Sequence, residues 1–369
     1  MTPTLLTPTK DESSGKVTFP HGTGFHTALK KRVNQYFADR GIRKTGDTRL
    51  FVKSAIILTV AVATYVFLVF FAASWPETLL GALVMSQALA FIGLNIQHDG
   101  NHGSYSRDRR INWIMGLTID LIGGSHFLWR QKHNILHHTY TNIDELDDDL
   151  HTSGLLRLSP DQRRRRWHRF QHWYALPIYS LLTLSWVLYG DFRKLILGRI
   201  GNYRIQRPSR TDLTLLLTTK SLYFALALGL PLLLHPALWV VAVFLGVHLL
   251  LGLTLATVFQ LAHTVEGNRF PSPSPETSTM DQEWAIHEIE TTANFAPTNP
   301  LVAWCLGGLN FQIEHHLFPR ICHVHYPDIS KIVEATCSEF GVSYLAFPSI
   351  LAALRAHLRH LKAMGLATA

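Results

Sequence analysis

The sequence predicts an all-α membrane protein in which four transmembrane helices carry a cytoplasmic helical cap, and the cap holds a histidine-rich metal site. Three observations lead there. Long runs without a charged residue are concentrated in a few places instead of being spread as in a soluble core. Histidines, 21 in 369 residues, cluster at helical spacing beside those runs. Lys and Arg crowd the polar segments, while the two shortest connections carry none, which orients the chain by the positive-inside rule.

The first residues, MTPTLLTPTKDESSG, are polar and lack the apolar core of a signal peptide. They are expected as a cytosolic tail. In FHTALKKRVNQYFADRG, Phe25, Leu29, Val33 and Phe37 fall on one helical face and Gly41 can end the helix. The spacing predicts an amphipathic helix at the membrane surface, so residues 1–50 are set apart from a main domain over 51–369. Spans are expected near 54–76 and 78–97, joined by a very short connection at Glu77.

A long polar stretch follows. Within it, INWIMGLTIDLIGG is apolar but short and carries Asp120, which predicts an interfacial helix near 111–124. Residues 170–190 are uncharged and long enough to cross. They are also rich in Trp173, Tyr174, Tyr179, Trp186 and Tyr189, as interfacial segments are. A crossing there would strand the last histidine cluster opposite the others, so this segment is read as a second interfacial helix. Two further spans are expected near 213–234 and 237–262, broken at His235-Pro236, with Lys220 able to snorkel. The cap is then 98–212 plus 263–369. It includes the Pro/Ser-rich loop PSPSPETST and a tail helix around Ile350 to Leu361.

The formal net charge of +8 belongs to basic cytoplasmic loops beside anionic membrane lipids. No nucleic-acid-binding motif accompanies it, so no nucleic-acid partner is expected. Cys305, Cys322 and Cys337 form no CxxC pair and are read as reduced thiols.

Three histidine clusters remain: His98 and His102 in NIQHDGNHG, His133, His137 and His138 in QKHNILHHTY, and His315 and His316 in LNFQIEHHLFP. One pair would be ordinary. Three clusters facing one membrane side supply an all-nitrogen site of the kind that suits Zn, Cu, Fe or Ni. HDGNH, HNILHH and QIEHH, in this order and with an apolar hairpin before the last, resemble the three histidine boxes of membrane fatty acid desaturases along nearly the whole chain. The glutamine opening the third box resembles the front-end subgroup, which inserts a double bond between an existing one and the carboxyl end.

The resemblance implies a di-metal site of two iron ions, with O2 as co-substrate. The ligands would be His98, His102, His133, His137, His138, His315 and His316, with His263 at the end of the last span. Gln312 stands where stearoyl-type relatives have a histidine, and is a candidate ligand or support. Phe259 stands where those relatives have an asparagine. Asp99, Asp147, Asp148 and Asp149 are candidate supports for the ligand rings. The implied activity is cis-desaturation of an acyl chain carried on CoA or a glycerolipid, Δ6 on linoleoyl-type substrates. Δ5, Δ8, Δ9 or sphingolipid desaturation, or hydroxylation or ketolation by the same boxes, are the alternatives. A receptor holding zinc structurally and a transporter are rivals of other classes. PHGTG at residues 20–24 is not the HPGG of a fused cytochrome b5. The electron donor is therefore expected as a separate ferredoxin or cytochrome b5 with its reductase. Arg163, Arg164, Arg165 and Arg166 are candidates to meet lipid head groups or that donor. Both termini are expected in the cytoplasm, and a bacterial inner membrane is favoured over endoplasmic reticulum. His126, His151, His168, His172, His287, His323 and His325 are read as structural or surface residues.

Overall fold

The computed structural model describes residues 17–22 and 24–367. The polar tail of residues 1–15 lies outside them, as does Thr23 in PHGTG. The described residues are mostly helical. Twelve helices carry the account: α1 (Phe25–Asp39), α2 (Thr48–Phe70), α3 (Trp75–His102), α4 (Arg109–Gly116), α5 (126–140), α6 (171–190), α7 (Arg210–Leu234), α8 (Ala237–His263), α9 (Trp284–Glu290), α10 (Gln312–Leu317), α11 (Tyr326–Phe340) and α12 (Ile350–Leu366). Two-residue strands add little: Arg199–Ile200 pairs antiparallel with Tyr203–Arg204, and Asn294–Phe295 pairs parallel with Ala346–Phe347.

Four helices, α2, α3, α7 and α8, are long and apolar enough to cross a membrane. They show large apolar side chains on their outer faces, such as Val62, Phe70, Leu79, Leu233 and Leu238. In water such faces would aggregate; against hydrocarbon they cost nothing. The first hairpin differs from the sequence expectation. Its turn lies at 71–74 and not at Glu77. Ser74 begins α3, Pro76 takes an early position in its first turn, and the Glu77 carboxylate accepts from the backbone N–H groups of Ala73 and Ser74 at 2.9 and 3.0 Å. A Ser-x-x-Glu capping box starts a helix here. The first span likewise begins early, at Thr48, because the Asp47 side chain accepts from Arg49 N–H at 2.9 Å. Lys53 is thereby carried inside it.

The break between α7 and α8 falls at His235-Pro236 as expected. The His235 ring reaches back to Val69 O at 2.8 Å, tying this turn to the end of α2. Helix α6 is irregular, with Pro177 inside it and a π-helical end from Trp186 to Gly190. It lies against α8 so closely that a side chain on Gly252 would sit 2.5 Å from Ser180 O. The Thr183 hydroxyl donates to His248 O at 2.9 Å.

One expectation is corrected by packing. The apolar stripe of α1 is not open to a membrane surface. Phe25, Leu29, Val33 and Phe37 are buried with Ile329, Val333 and Cys337 of α11 and Ile289 of α9. That cluster also takes in Ile313 and Leu317 of α10. A second core joins α2, α3 and α8 through Leu50, Ile57, Leu94, Leu251 and Leu261.

Candidate metal centre

Four pieces of backbone deliver the histidines. The end of α3 brings His98 and His102, α5 brings His133, His137 and His138, α8 ends on His263, and α10 brings His315 and His316. None of the eight is more than 9% exposed. Box 1 can approach because Gly100 has no side chain: a Cβ there would stand 2.5 Å from the backbone N of Gly116. Gly103, at φ 74°, then turns the chain out of the helix.

Helix α5 departs from the spacing rule used on the sequence. Residues Arg130–His137 are π-helical, so positions five apart also stack, and His138 joins His133: their Nε2 atoms lie 3.2 Å apart. The stretch Ile92–Gln97 before box 1 is π-helical too. Such widened turns concentrate at functional sites.

The rings form two groups with one histidine between them. Ligand nitrogens of His98, His102, His133 and His315 lie within 4.8 Å of one another, as do those of His137, His263 and His316. His138 forms a third such group with His315 and His316 and so bridges the two. Nε2 of His133 is 3.2 Å from Nε2 of both His98 and His138. One imidazole proton cannot serve three converging nitrogens. His102 Nε2, His138 Nδ1, His263 Nδ1, His315 Nε2 and His316 Nε2 are buried without a hydrogen-bond partner. Lone pairs that converge with no donor between them fit a cation.

Behind several rings stands a polar partner that fixes the tautomer. His137 Nδ1 lies 3.1 Å from Asp147 and 3.3 Å from Asp149. His316 Nδ1 lies 2.7 Å from Glu288, which also accepts from the Thr141 hydroxyl at 2.8 Å. His315 Nδ1 lies 3.2 Å from the Tyr326 hydroxyl. Burial, then repulsion among the imidazoles, holds His133, His138, His315 and His316 well below the usual histidine range, so they are neutral and free to ligate. His137 goes the other way: burial opposes its charge, but Asp147 and Asp149 outweigh it and lift the ring to about 9. Burial pushes the Glu288 carboxyl well above its ordinary value.

The acidic candidates divide. Asp147 and Asp149 face His137. Asp149 also pairs with Lys132, at 2.7 Å, while Asp148 pairs with Lys132 at 3.3 Å and Lys194 at 3.2 Å and has no hydrogen bond to a box histidine. Asp99 touches none of the eight rings through a hydrogen bond; its partner is His323, at 2.8 Å. Gln312 opens α10 on the face of His315 and His316. Its side chain makes no hydrogen bond to another described residue and lines a narrow void of about 30 Å³ with Trp129, Trp186, Phe259 and both histidine groups. Arg163, Arg165 and Arg166 are exposed, whereas Arg164 donates to Gly365 O at 2.8 Å. Glu288 and Tyr326 were not legible in the sequence, since each meets its histidine only through the fold. Of the histidines read as structural, His168 and His325 bond backbone carbonyls at 3.0 and 3.3 Å.

A polytopic helical protein with a buried eight-histidine cluster is the class that fold and site define. A sequence model of the fatty acid desaturase family matches residues 73–348, and the chain belongs to that family. It is 39% identical over 354 residues to the sn-1 linoleoyl-lipid 6-desaturase of Synechocystis sp., covering 96% of this chain and 99% of the relative. Identity to the sn-1 linoleoyl-lipid 6-desaturase of Arthrospira platensis is 38%, with 96% of each covered. An acyl-lipid (8-3)-desaturase of Physcomitrium patens is 38% identical, over 93% of this chain and 72% of its own length.

Proposed function

We propose that this chain is an O2-dependent acyl-lipid desaturase that inserts a cis double bond at Δ6 of a linoleoyl chain. One observation carries the reading: eight buried histidine rings converge, and five of them keep a nitrogen without a hydrogen-bond partner. The chain that does this matches linoleoyl-lipid 6-desaturases end to end. His98, His102, His133, His137, His138, His263, His315 and His316 are the proposed ligands of two iron ions.

A mid-chain methylene has no acidity and no leaving group, so side-chain acids, bases or nucleophiles cannot start the reaction. Two bound irons with O2 would supply the oxidising chemistry for removing two hydrogens. The residues of this chain do the rest. Trp129, Trp186 and Phe259 form the apolar wall of the void, beside Lys132 and Asp149. Gln312 projects its amide among the rings and shapes one metal's surroundings. Asp147, Asp149, Glu288 and Tyr326 hold ring nitrogens toward the centre. Asp148 anchors this region by pairing with two lysines.

Two electrons per turnover come from a separate protein, a ferredoxin or cytochrome b5 with its reductase. The distribution of Lys and Arg supports a cytoplasmic cap and cytoplasmic termini, and the cyanobacterial source of the two 6-desaturase relatives supports a bacterial inner membrane. Exposed Ile111, Trp113 and Ile114, and exposed Trp173, Leu188 and Tyr189, support interfacial placement of the helices near 111–124 and 170–190. Arg163, Arg165 and Arg166 are proposed to meet anionic head groups or the donor.

Gas chromatography of membrane lipids from a host that expresses the gene and is fed linoleate tests the reading. The expected product is a trienoic chain with its new bond at Δ6. A bond elsewhere overturns the regiospecificity alone; a hydroxylated or oxidised chain overturns desaturation.

A further inference from the structure

A buried polar chain beside the cluster is used by none of the steps above. Lys53 lies within α2 and is 5% exposed, a costly place for an ammonium group in a membrane span. Its Nζ is 3.0 Å from Nε2 of His323. Nδ1 of that ring is 2.8 Å from Oδ2 of Asp99, and the same oxygen accepts from Cys322 Sγ at 3.0 Å. Asp99 and His323 are 2% and 3% exposed.

Hydrogen-bond inventory leaves one arrangement. The ammonium only donates, so Nε2 accepts; Nδ1 then carries the proton and donates to the carboxylate. A positive and a negative charge are joined through a neutral imidazole, which compensates two charges that would otherwise be buried alone. The chain spans three elements. Asp99 is the residue after His98, His323 follows α10 by a short loop, and Lys53 belongs to the first span. The loop is tied down separately by Cys322 N–H donating to Lys44 O at 2.8 Å.

We propose that Lys53, His323 and Asp99 are positioning residues that lock the box 1 turn of α3 against the segment after box 3, and so aim His98 and His102 at a metal. This rests on the metal-binding reading above. Asp99, Cys322 and His323 could also be taken as a third metal site, since their ligand atoms lie within 4.8 Å of one another. The Lys53 ammonium at 3.0 Å from the ring opposes a cation there.

Cobalt(II) titration of the purified full chain, read by stoichiometry and by the visible ligand-field bands, tests the proposal without any turnover. His323→Gln keeps one donor and one acceptor and is expected to bind cobalt with the wild-type stoichiometry and spectrum. His323→Leu and Lys53→Met, measured on the monodisperse fraction, are expected to bind one equivalent at least about tenfold more weakly, with altered bands. Wild-type affinity and spectrum in folded Leu and Met variants would overturn the positioning role. So would a third cobalt equivalent that only His323→Leu loses, because the chain would then be a metal site. Should the Leu variant not fold, His323→Asn replaces it: the shorter side chain cannot span both partners, and a wild-type spectrum there overturns the proposal. Absence of cobalt binding by the wild type would instead sink the metal reading on which all of this stands.

Discussion

Buried histidines occupy two regions of this molecule in opposite states. Along the seam of α6, α7, α8 and α12 they are complete. His248 meets Tyr223 at 2.5 Å through Nε2 and Thr183 at 3.0 Å through Nδ1. His357 meets Tyr179 at 2.8 Å and Thr264 O at 2.7 Å. In the box cluster, five rings leave a buried nitrogen unpartnered. Both sets are equally hidden from water, so burial does not tell a ligand from a strut. Hydrogen-bond completeness separates these two regions: His248 and His357 close their valences within the protein, whereas the box cluster keeps five nitrogens open. Outside both regions, His172 and His287 each keep one open as well.

The largest expected effect follows from opening the cluster. His137→Ala should abolish desaturation and lower the iron content of the purified protein while membrane insertion is unchanged. A variant that retains substantial activity would remove His137 from the ligand set. Next comes Gln312. Leu at this position keeps the bulk but not the amide and should lose nearly all activity; His, which can still ligate, should keep some. Gln312→Leu working at the wild-type rate with full iron would reduce the residue to packing.

The seam should respond to acid. Burial outweighs the help of Thr264 O and takes His357 down to about 4, whereas the unfolded chain binds its proton near 6.5. Between those values the unfolded state holds the extra proton, so stability is full above pH 6.5 and falls as pH drops toward 4, by about 3 kcal/mol at most. Melting curves in detergent should show that slope, and His357→Gln should flatten it. Parallel slopes in the two proteins would refute the assignment. The smallest effect is expected from His248→Leu. It leaves the Tyr223 hydroxyl unpaired and removes the ring's bond to Thr183, whose hydroxyl keeps the backbone O of residue 248, and should cost about 1–3 kcal/mol with iron content intact. Loss of iron in that variant would erase the distinction between the two regions.

Much of this was readable in advance because it depends on residue type and short spacing. Runs without charge marked four spans, and the doubled histidines marked the boxes. Boundaries were less legible. The Glu77 carboxylate looks like a connecting charge, yet it caps the helix it seemed to precede. The α1 stripe was readable as amphipathic, but not what it would cover, since α11 lies some three hundred residues later in the chain. In α5 the spacing rule placed His133 and His137 together, and they do stack, but it did not show the close approach of His138 to His133, because nothing local announces that Arg130–His137 takes a π-helical turn.

By itself, then, the sequence determined a helical membrane protein with three histidine boxes, since hydrophobic length and ring count are local properties. Only the tertiary structure decided which rings share a centre and which groups stand behind them. Glu288 reaches His316 across 28 residues of sequence, and Lys53 reaches His323 across 270. A hydrogen bond acts over about 3 Å, and only the packing of helices brings groups so far apart in sequence within that reach.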